Sequence, residues 1–158
     1  MEIEMDFIAE KDTGLIPKVL ANILDSCVNG VTLADPDLED MPLVYANKAF
    51  ETITGYTQEE SVGKNCRFLQ GAEHDQKGVI QLREAIKNKK PVEVTLRNFR
   101  KNGELFYNHL NMMPLFDSNG NILYFLGVQY EITDQVGMAE EIKDLKEQIK
   151  ALKNNSSV

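Results

Sequence analysis

Alternating apolar and polar residues predict three long β-strands in the second half of the chain. Turn-forming segments, Lys101-Asn102-Gly103 and Asp117-Ser118-Asn119-Gly120, separate these strands. Two shorter β-rich runs come earlier and are joined by the linker DPDLEDM. The five predicted strands are GVTLAD from Gly30, PLVYAN from Pro42, PVEVTLRNF from Pro91, LFYNHLNMMPLF from Leu105 and NILYFLGVQYEI from Asn121.

Helical patterns lie before, between and after these strands. Apolar residues recur every three to four positions over residues 15–27, where Pro17 suits only the first turn of a helix. Thr57 and Glu60 match a capping box that opens a short helix. Asp75 is the predicted N-cap of a longer helix. The apolar positions of that longer helix are Val79, Ile80, Leu82, Ala85 and Ile86.

A terminal helix is predicted over residues 136–153, with a heptad seam of apolar residues. Isoleucine at position a and leucine at position d favour a parallel pair, in which Glu141 can meet Lys146 of the partner. We therefore expect a homodimer through the terminal helices. The alternative is an amphipathic helix that packs back on the sheet of its own domain. The seam consists of Met138, Ile142, Leu145, Ile149 and Leu152.

The order of these elements predicts an α+β fold. We expect one antiparallel five-stranded sheet with short helices on one face and a helix at each end of the chain. The expected divisions are an N-terminal extension and cap helix over residues 1–27, a mixed domain over residues 28–134, and a terminal helix and tail over residues 135–158.

Strand parity places three carboxamides on otherwise apolar strand faces. Asn98 shares a face with Val92, Val94 and Leu96; Asn108 with Phe106, Leu110 and Met112; and Gln129 with Leu123, Phe125 and Gly127. An unpartnered buried amide costs roughly 1–3 kcal/mol. If the three faces point inward, a bound heterocycle with donors and acceptors on its edge is the expected partner. The alternative is that each amide faces solvent.

Charge and cysteine content narrow the functional classes. A net charge of −8 argues against binding to nucleic acid or to an anionic membrane surface. No apolar run is long enough to span a bilayer and the N-terminus is acidic, so we expect a cytoplasmic protein. Cys27 and Cys66 lack the spacing of a disulfide framework or a zinc site, and no metal site is expected near His74 or His109.

One nine-residue segment, from Gly63 to Gly71, carries a diagnostic motif. Its sequence, GKNCRFLQG, resembles the signature of the LOV (light-oxygen-voltage) family, the flavin-binding photosensory branch of the PAS fold. The resemblance extends over roughly residues 28–133 and implies a PAS fold. It also implies a blue-light receptor in which Cys66 bonds reversibly to flavin mononucleotide (FMN). Without the residues around it, Cys66 would be read as an inert core cysteine.

The resemblance also implies a role for each further site residue. Asn65, Arg67 and Gln70 would lie along the ribityl-phosphate chain, and Arg83 would make a second phosphate contact. Asn98 and Asn108 would bond the polar edge of the flavin ring, and Gln129 would sit beside its N5 atom and relay the signal. The family lines the ring pocket at the positions of Leu43, Leu110, Met112, Phe125 and Gly127.

Physical chemistry agrees with these roles. Arginine offers forked donors to phosphate oxygens, and a mid-strand glycine permits close approach to the backbone. The loop from Gln70 to Arg83 lacks the insertion found in relatives that bind the adenine-bearing flavin, which favours FMN. Ala34 and Tyr107 depart from the common family residues, which bears on colour and dark recovery.

Two other functions compete with a light-sensing module. A flavin-dependent oxidoreductase would need a substrate or nicotinamide site, and no motif for one is present. A PAS domain that senses another ligand independently of light would share the fold. We therefore expect a non-enzymatic sensor, either alone or as part of a protein with a downstream effector.

Overall fold

The computed structural model describes residues 15–155. The N-terminal extension before Leu15 and the last three residues lie outside the described part of the chain. The helices are α1 (Leu15–Ser26), α2 (Lys48–Thr54), α3 (Gln58–Ser61), a 3₁₀ helix (Cys66–Gln70), α4 (Lys77–Lys87) and α5 (Thr133–Asn155). The strands are β1 (Gly30–Ala34), β2 (Leu43–Ala46), β3 (Val92–Phe99), β4 (Leu105–Phe116) and β5 (Ile122–Glu131).

The five strands form one antiparallel sheet in the order β2-β1-β5-β4-β3. The last strand, β5, is central because it pairs with both β1 and β4. Helix α2 packs on β1 and β5, and the 3₁₀ helix and α4 pack on β3. The predicted α+β architecture, with one sheet and a layer of short helices, is therefore confirmed.

Burial alternates along the long strands and identifies the inner face of the sheet. In β3 the buried residues are Val94, Leu96 and Asn98, and the residues between them are exposed. The predicted parity is correct for β3 and β4. In β5 it holds from Phe125 onward, but Leu123 is exposed because a bulge near Phe116 shifts the register at that end. The three amides thus share one interior.

The hairpin between β3 and β4 sets this common face. Phe99 pairs with Leu105, and the intervening loop contains an odd number of residues, so Asn98 and Asn108 project to the same side. Gly103 closes the loop at φ 88°, a left-handed conformation that glycine adopts without steric cost. A plain two-residue Asn-Gly turn, which would have placed the two amides on opposite faces, is absent here.

Local capping is predicted correctly for α3 and incorrectly for α4. Thr57 and Glu60 form the capping box. Gln76, rather than Asp75, is the N-cap of α4, although its side chain makes no capping hydrogen bond. The Gln76 amide instead pairs with the backbone of Arg97, accepting from its N–H at 2.7 Å and donating to its carbonyl at 2.8 Å. This tertiary contact ties the start of α4 to β3.

Helix α5 is longer than predicted and begins at Thr133, directly after β5. Met138, Ile142, Leu145 and Ile149 are each about half exposed or more. Because these seam residues face solvent, the alternative in which the helix packs back on its own sheet is not observed. No helix among residues 15–155 is long and apolar enough to cross a bilayer.

Candidate functional site

A cavity of about 500 Å³ opens between the inner face of the sheet and the helices. This volume lies in the range of small-molecule and cofactor sites. The cavity is bounded by β3, β4 and β5, by the 3₁₀ helix, by α4 and by the β1–β2 linker. Of the predicted site residues, it is lined by Asn65, Cys66, Arg67, Gln70, Arg83, Asn98, Asn108, Leu110 and Gln129.

The three amides meet at the inner end of the cavity and are almost fully buried. The Asn108 Nδ2 group donates to Asn98 Oδ1 at 3.0 Å and to Gln129 Oε1 at 2.7 Å. Two buried polar atoms, Asn108 Oδ1 and Gln129 Nε2, have no protein partner among the described residues. Leaving each of them unsatisfied costs about 1–3 kcal/mol. A ligand that offers Asn108 a donor and Gln129 an acceptor would remove this cost.

Cys66 begins the 3₁₀ helix and lies on the cavity wall. The Asn65 side chain caps this helix by accepting the backbone N–H of Arg67 at 3.0 Å. Burial raises the pKa of the Cys66 thiol to about 12, because the surroundings penalise the charged thiolate. The thiol is therefore neutral, and it lines the same cavity as the three buried amides.

The nitrogen of the same Asn65 carboxamide holds the β1–β2 linker. Its Nδ2 donates to the carbonyl of Asp40 at 2.7 Å and to that of Met41 at 3.4 Å. Asp40 and Met41 both adopt positive φ, at 65° and 48°, which is uncommon for residues other than glycine. Asn65 thus fastens a strained linker over the segment that carries Cys66.

Cationic side chains surround the mouth of the cavity. The Arg67 guanidinium contacts the Asp40 carboxylate at 2.6 Å, and both side chains are about half exposed. This neighbour lowers the pKa of Asp40. Arg83 and Lys87 line the opposite wall on α4 and form no ion pair with a described residue. Anionic groups of a ligand would meet these two cations at the mouth.

Four of the predicted pocket residues lie beside the cavity rather than on its wall. Leu43, Met112 and Phe125 belong to the buried apolar cluster against which Cys66 packs. Gly127 is buried, and a Cβ atom there would come within 2.7 Å of Thr32 Oγ1 and 3.3 Å of Leu110 Cδ1. Side chains of the neighbouring strands therefore leave no room for a Cβ atom at this position.

Sequence reasoning missed several residues of the cavity wall. The β1–β2 linker contributes Pro36, Leu38, Asp40 and Met41, for which no periodic pattern exists. The remaining missed residues of α4 are Val79, Leu82, Ile86 and Lys87. Their helical spacing relative to Arg83 is the signal that would have found them. His74 is exposed and bonds Gln70, and among the described residues no group of three or more metal-ligating side chains occurs.

Comparisons with known proteins agree on one family. The PAS domain family matches residues 28–134. The chain is 42% identical over 117 residues to a blue-light photoreceptor of Listeria innocua, covering 74% of this chain and 46% of that protein. It is 41% identical to phototropin-2 of Oryza sativa, again over 74% of this chain but only 13% of the relative. The chain thus spans half or less of the length of these relatives.

Solved structures give the same picture. The LOV domain of a blue-light-activated histidine kinase from Erythrobacter litoralis is 46% identical, with a TM-score of 0.63 over 66% of this chain and 96% of that domain. An RNA-binding light-oxygen-voltage receptor superposes with a TM-score of 0.78 at 35% identity, over 87% of this chain and 39% of that receptor.

Proposed function

The chain belongs to the LOV domains, the blue-light-sensing branch of the PAS family, and from this premise we propose that it is a sensor in which Cys66 bonds reversibly to bound FMN. The observation that carries the proposal is the pair of unsatisfied buried atoms, Asn108 Oδ1 and Gln129 Nε2, in a cavity that Cys66 also lines. The edge of an isoalloxazine ring offers both the donor and the acceptor that these atoms lack.

When bound, flavin supplies the blue-light absorption and a ring carbon that becomes electrophilic in the excited state. The protein contributes the neutral Cys66 thiol. Its sulfur would be the atom that bonds reversibly to that carbon, and the thiol would supply the proton that the ring takes up in light and returns in darkness. The step needs no external oxidant or reductant, and the raised pKa of Cys66 keeps the required proton on the thiol.

The remaining cavity residues would orient the flavin. Asn98, Asn108 and Gln129 would bond the ring edge, Gln70 the ribityl chain, and the cations at the mouth the phosphate. The apolar side chains of Leu110 and Leu96 would flank the ring. Because the mouth of the cavity is cationic and the loop from Gln70 to Arg83 has no insertion, we favour FMN over uncharged flavins and over the adenine-bearing flavin.

The signal would leave through the end of β5. Gln129 would turn its amide if the ring nitrogen beside it gained a proton, because that nitrogen would then donate rather than accept a hydrogen bond. Two residues later Glu131 accepts from Arg100 at 2.6 Å and from the Thr133 hydroxyl at 2.7 Å, at the root of α5. Breaking and re-forming one or two such hydrogen bonds would couple the flavin site to α5 by about 1–3 kcal/mol. A coupling of this size is enough to shift an equilibrium between two positions of the helix.

The output surface would be the seam of α5. We infer a homodimer through this helix, because its apolar residues are exposed and keep heptad spacing over residues 138–152. Some relatives carry the LOV domain within histidine kinases. The chain itself would act as a non-enzymatic sensor whose helix passes the signal to a downstream effector. A reducing cytoplasm would keep Cys66 available.

An absorption spectrum of the purified full chain tests the proposal. We expect a flavin band in the dark, loss of that band in blue light, and recovery in darkness. Flavin that is bound but not bleached would favour an oxidoreductase. A protein that binds no flavin would be a light-independent PAS sensor.

A further inference from the structure

One face of α4 presents two cations to the cavity mouth. Arg83 and Lys87 are one helical turn apart and therefore lie on the same side of the helix. Both line the cavity, both are exposed, and neither forms an ion pair with another residue of the described chain. The resemblance to the LOV family implies no role for Lys87, although this residue lines the mouth.

The other cation at the mouth is already neutralised. Arg67 lies 2.6 Å from the carboxylate of Asp40, so this pair contributes little net charge. The α4 wall therefore supplies the positive field of the mouth, in a protein whose net charge is −8. A phosphate monoester carries about −1.5 to −2 charges at neutral pH, which matches two unpaired cations.

We propose that Lys87 is a phosphate-binding residue which, together with Arg83, determines the preference of this cavity for phosphorylated over unphosphorylated flavin. Lysine suits this position because its flexible chain carries a point charge with three donors that can follow a mobile phosphate. Arg67 contributes less than Arg83, since a phosphate must compete with Asp40 for its guanidinium. The inference rests on the proposed flavin site and deepens it.

The test compares FMN with riboflavin, which lacks the phosphate. The full chain, freed of flavin, is titrated with each ligand in the dark, and binding is followed by flavin fluorescence. Lys87→Gln should weaken FMN binding by roughly threefold to tenfold, as expected for a solvent-exposed charge-assisted contact, and leave riboflavin binding unchanged. Lys87→Arg should keep the preference for FMN.

Lys77→Gln provides the matched control. Lys77 is an exposed lysine at the other end of α4 and does not line the cavity. Because each variant loses one lysine, Lys77→Gln and Lys87→Gln have the same net charge. It should leave the affinity for both flavins unchanged. The advantage of FMN over riboflavin should also shrink as salt is raised in the wild type, and shrink less in Lys87→Gln.

Three results would overturn the inference. Unchanged FMN affinity in Lys87→Gln would show that the lysine does not contact phosphate. Equal losses of affinity for FMN and for riboflavin in Lys87→Gln would mean that Lys87 supports the structure of α4 and does not bind the phosphate. If the wild type bound neither flavin, the proposed function itself would fail, and the inference with it. If the wild type binds riboflavin normally, the proposed flavin site stands, and a negative result with Lys87→Gln concerns only the role of the lysine.

Discussion

The protonation state of Cys66 determines how the site reacts. Burial raises its pKa to about 12, whereas the pKa of an unperturbed cysteine is about 8.5. A raised pKa means that the protonated form persists to higher pH, so the folded protein keeps a neutral thiol well into the alkaline range. The thiol proton is then present for transfer at any pH well below this pKa.

This leads to a pH prediction. The amplitude of light-induced bleaching should stay constant from about pH 6 to pH 10, because the raised pKa leaves the thiol protonated throughout. Absorbance after a saturating blue flash measures the amplitude, and circular dichroism at each pH verifies that the fold is intact. An amplitude that changes with a midpoint near about 8.5, the value of a free thiol, would contradict the assigned environment of Cys66.

Individual residues were predictable where a periodic pattern placed them. Asn98, Asn108 and Gln129 followed from strand parity, because alternation along a strand assigns each side chain to one face. Asp40 did not follow, since its position depends on two left-handed residues in an irregular linker. The close neighbours of Gly127, which are Thr32 and Leu110, did not follow either, because only three-dimensional packing brings them together.

At the scale of elements, local signals worked where the stabilising contacts are local. The Thr57–Glu60 capping box and the turn that ends at Gly103 involve residues within a few positions of each other. The start of α4 was misplaced by one residue because Gln76 contacts Arg97, which is far away in sequence. Hydrogen bonds between residues far apart in the sequence produce no periodic pattern from which they could be predicted.

The root of α5 is held by a small network that joins four elements, α2, β4, β5 and α5 itself. The Arg100 guanidinium lies 4.7 Å from the centre of the buried Phe106 ring and bonds the carbonyl of Ile53 in α2. It also pairs with Glu131, which accepts the hydroxyl of Thr133. The Thr133 oxygen in turn accepts the backbone N–H of Tyr107 in β4 at 3.0 Å. The first turn of α5 is thus tied to the strands next to the amides.

Removing the charge of Arg100 should loosen this root. Arg100→Gln should destabilise the first turn of α5 by roughly 1–2 kcal/mol, because a partly buried, hydrogen-bonded ion pair is lost. Amide hydrogen exchange near Val136 should accelerate about fivefold or more, since about 1.4 kcal/mol corresponds to a factor of ten. Bleaching by blue light should remain.

The neighbouring Lys101→Gln is the control for this prediction. Lys101 pairs with Glu60 on the protein surface and not with Glu131. It removes the same charge from the same loop and should leave exchange in α5 unchanged. Equal acceleration in both variants would mean that the loop charge, rather than the contact with Glu131, matters.

At the scale of the whole molecule, the main feature left without a covering surface is the apolar seam of α5, whose residues are exposed. The sequence predicts its heptad pattern. It does not predict whether the helix packs on its own sheet or pairs with a second chain, because the same spacing of apolar residues is compatible with both arrangements. Burial of each seam residue stabilises by at most roughly 1.5–3 kcal/mol. Association entropy offsets several kcal/mol of that sum, so a marginal dimer that light can adjust is expected.

One substitution in the seam tests this association. Ile142→Lys should weaken dimerisation because it introduces a charge into the apolar interface. Ala151→Lys adds the same charge at an exposed position outside the seam and should have little effect. Sedimentation of the full chain in the dark and in blue light measures the oligomeric state. We expect a wild-type dimer in at least one state; monomers in both states for all three proteins would exclude this interface.

The most direct test of the central claim compares the two cysteines of the chain. Cys27 is exposed and does not line the cavity, whereas Cys66 lies on its wall. Cys27→Ala and Cys66→Ala, each loaded with FMN, are recorded in darkness, under blue light and during recovery. We predict that Cys27→Ala bleaches and recovers like the wild type, while Cys66→Ala retains its flavin, stays fluorescent and does not bleach reversibly. Reversible bleaching of Cys66→Ala at the wild-type amplitude would contradict the assignment of Cys66 as the reactive thiol.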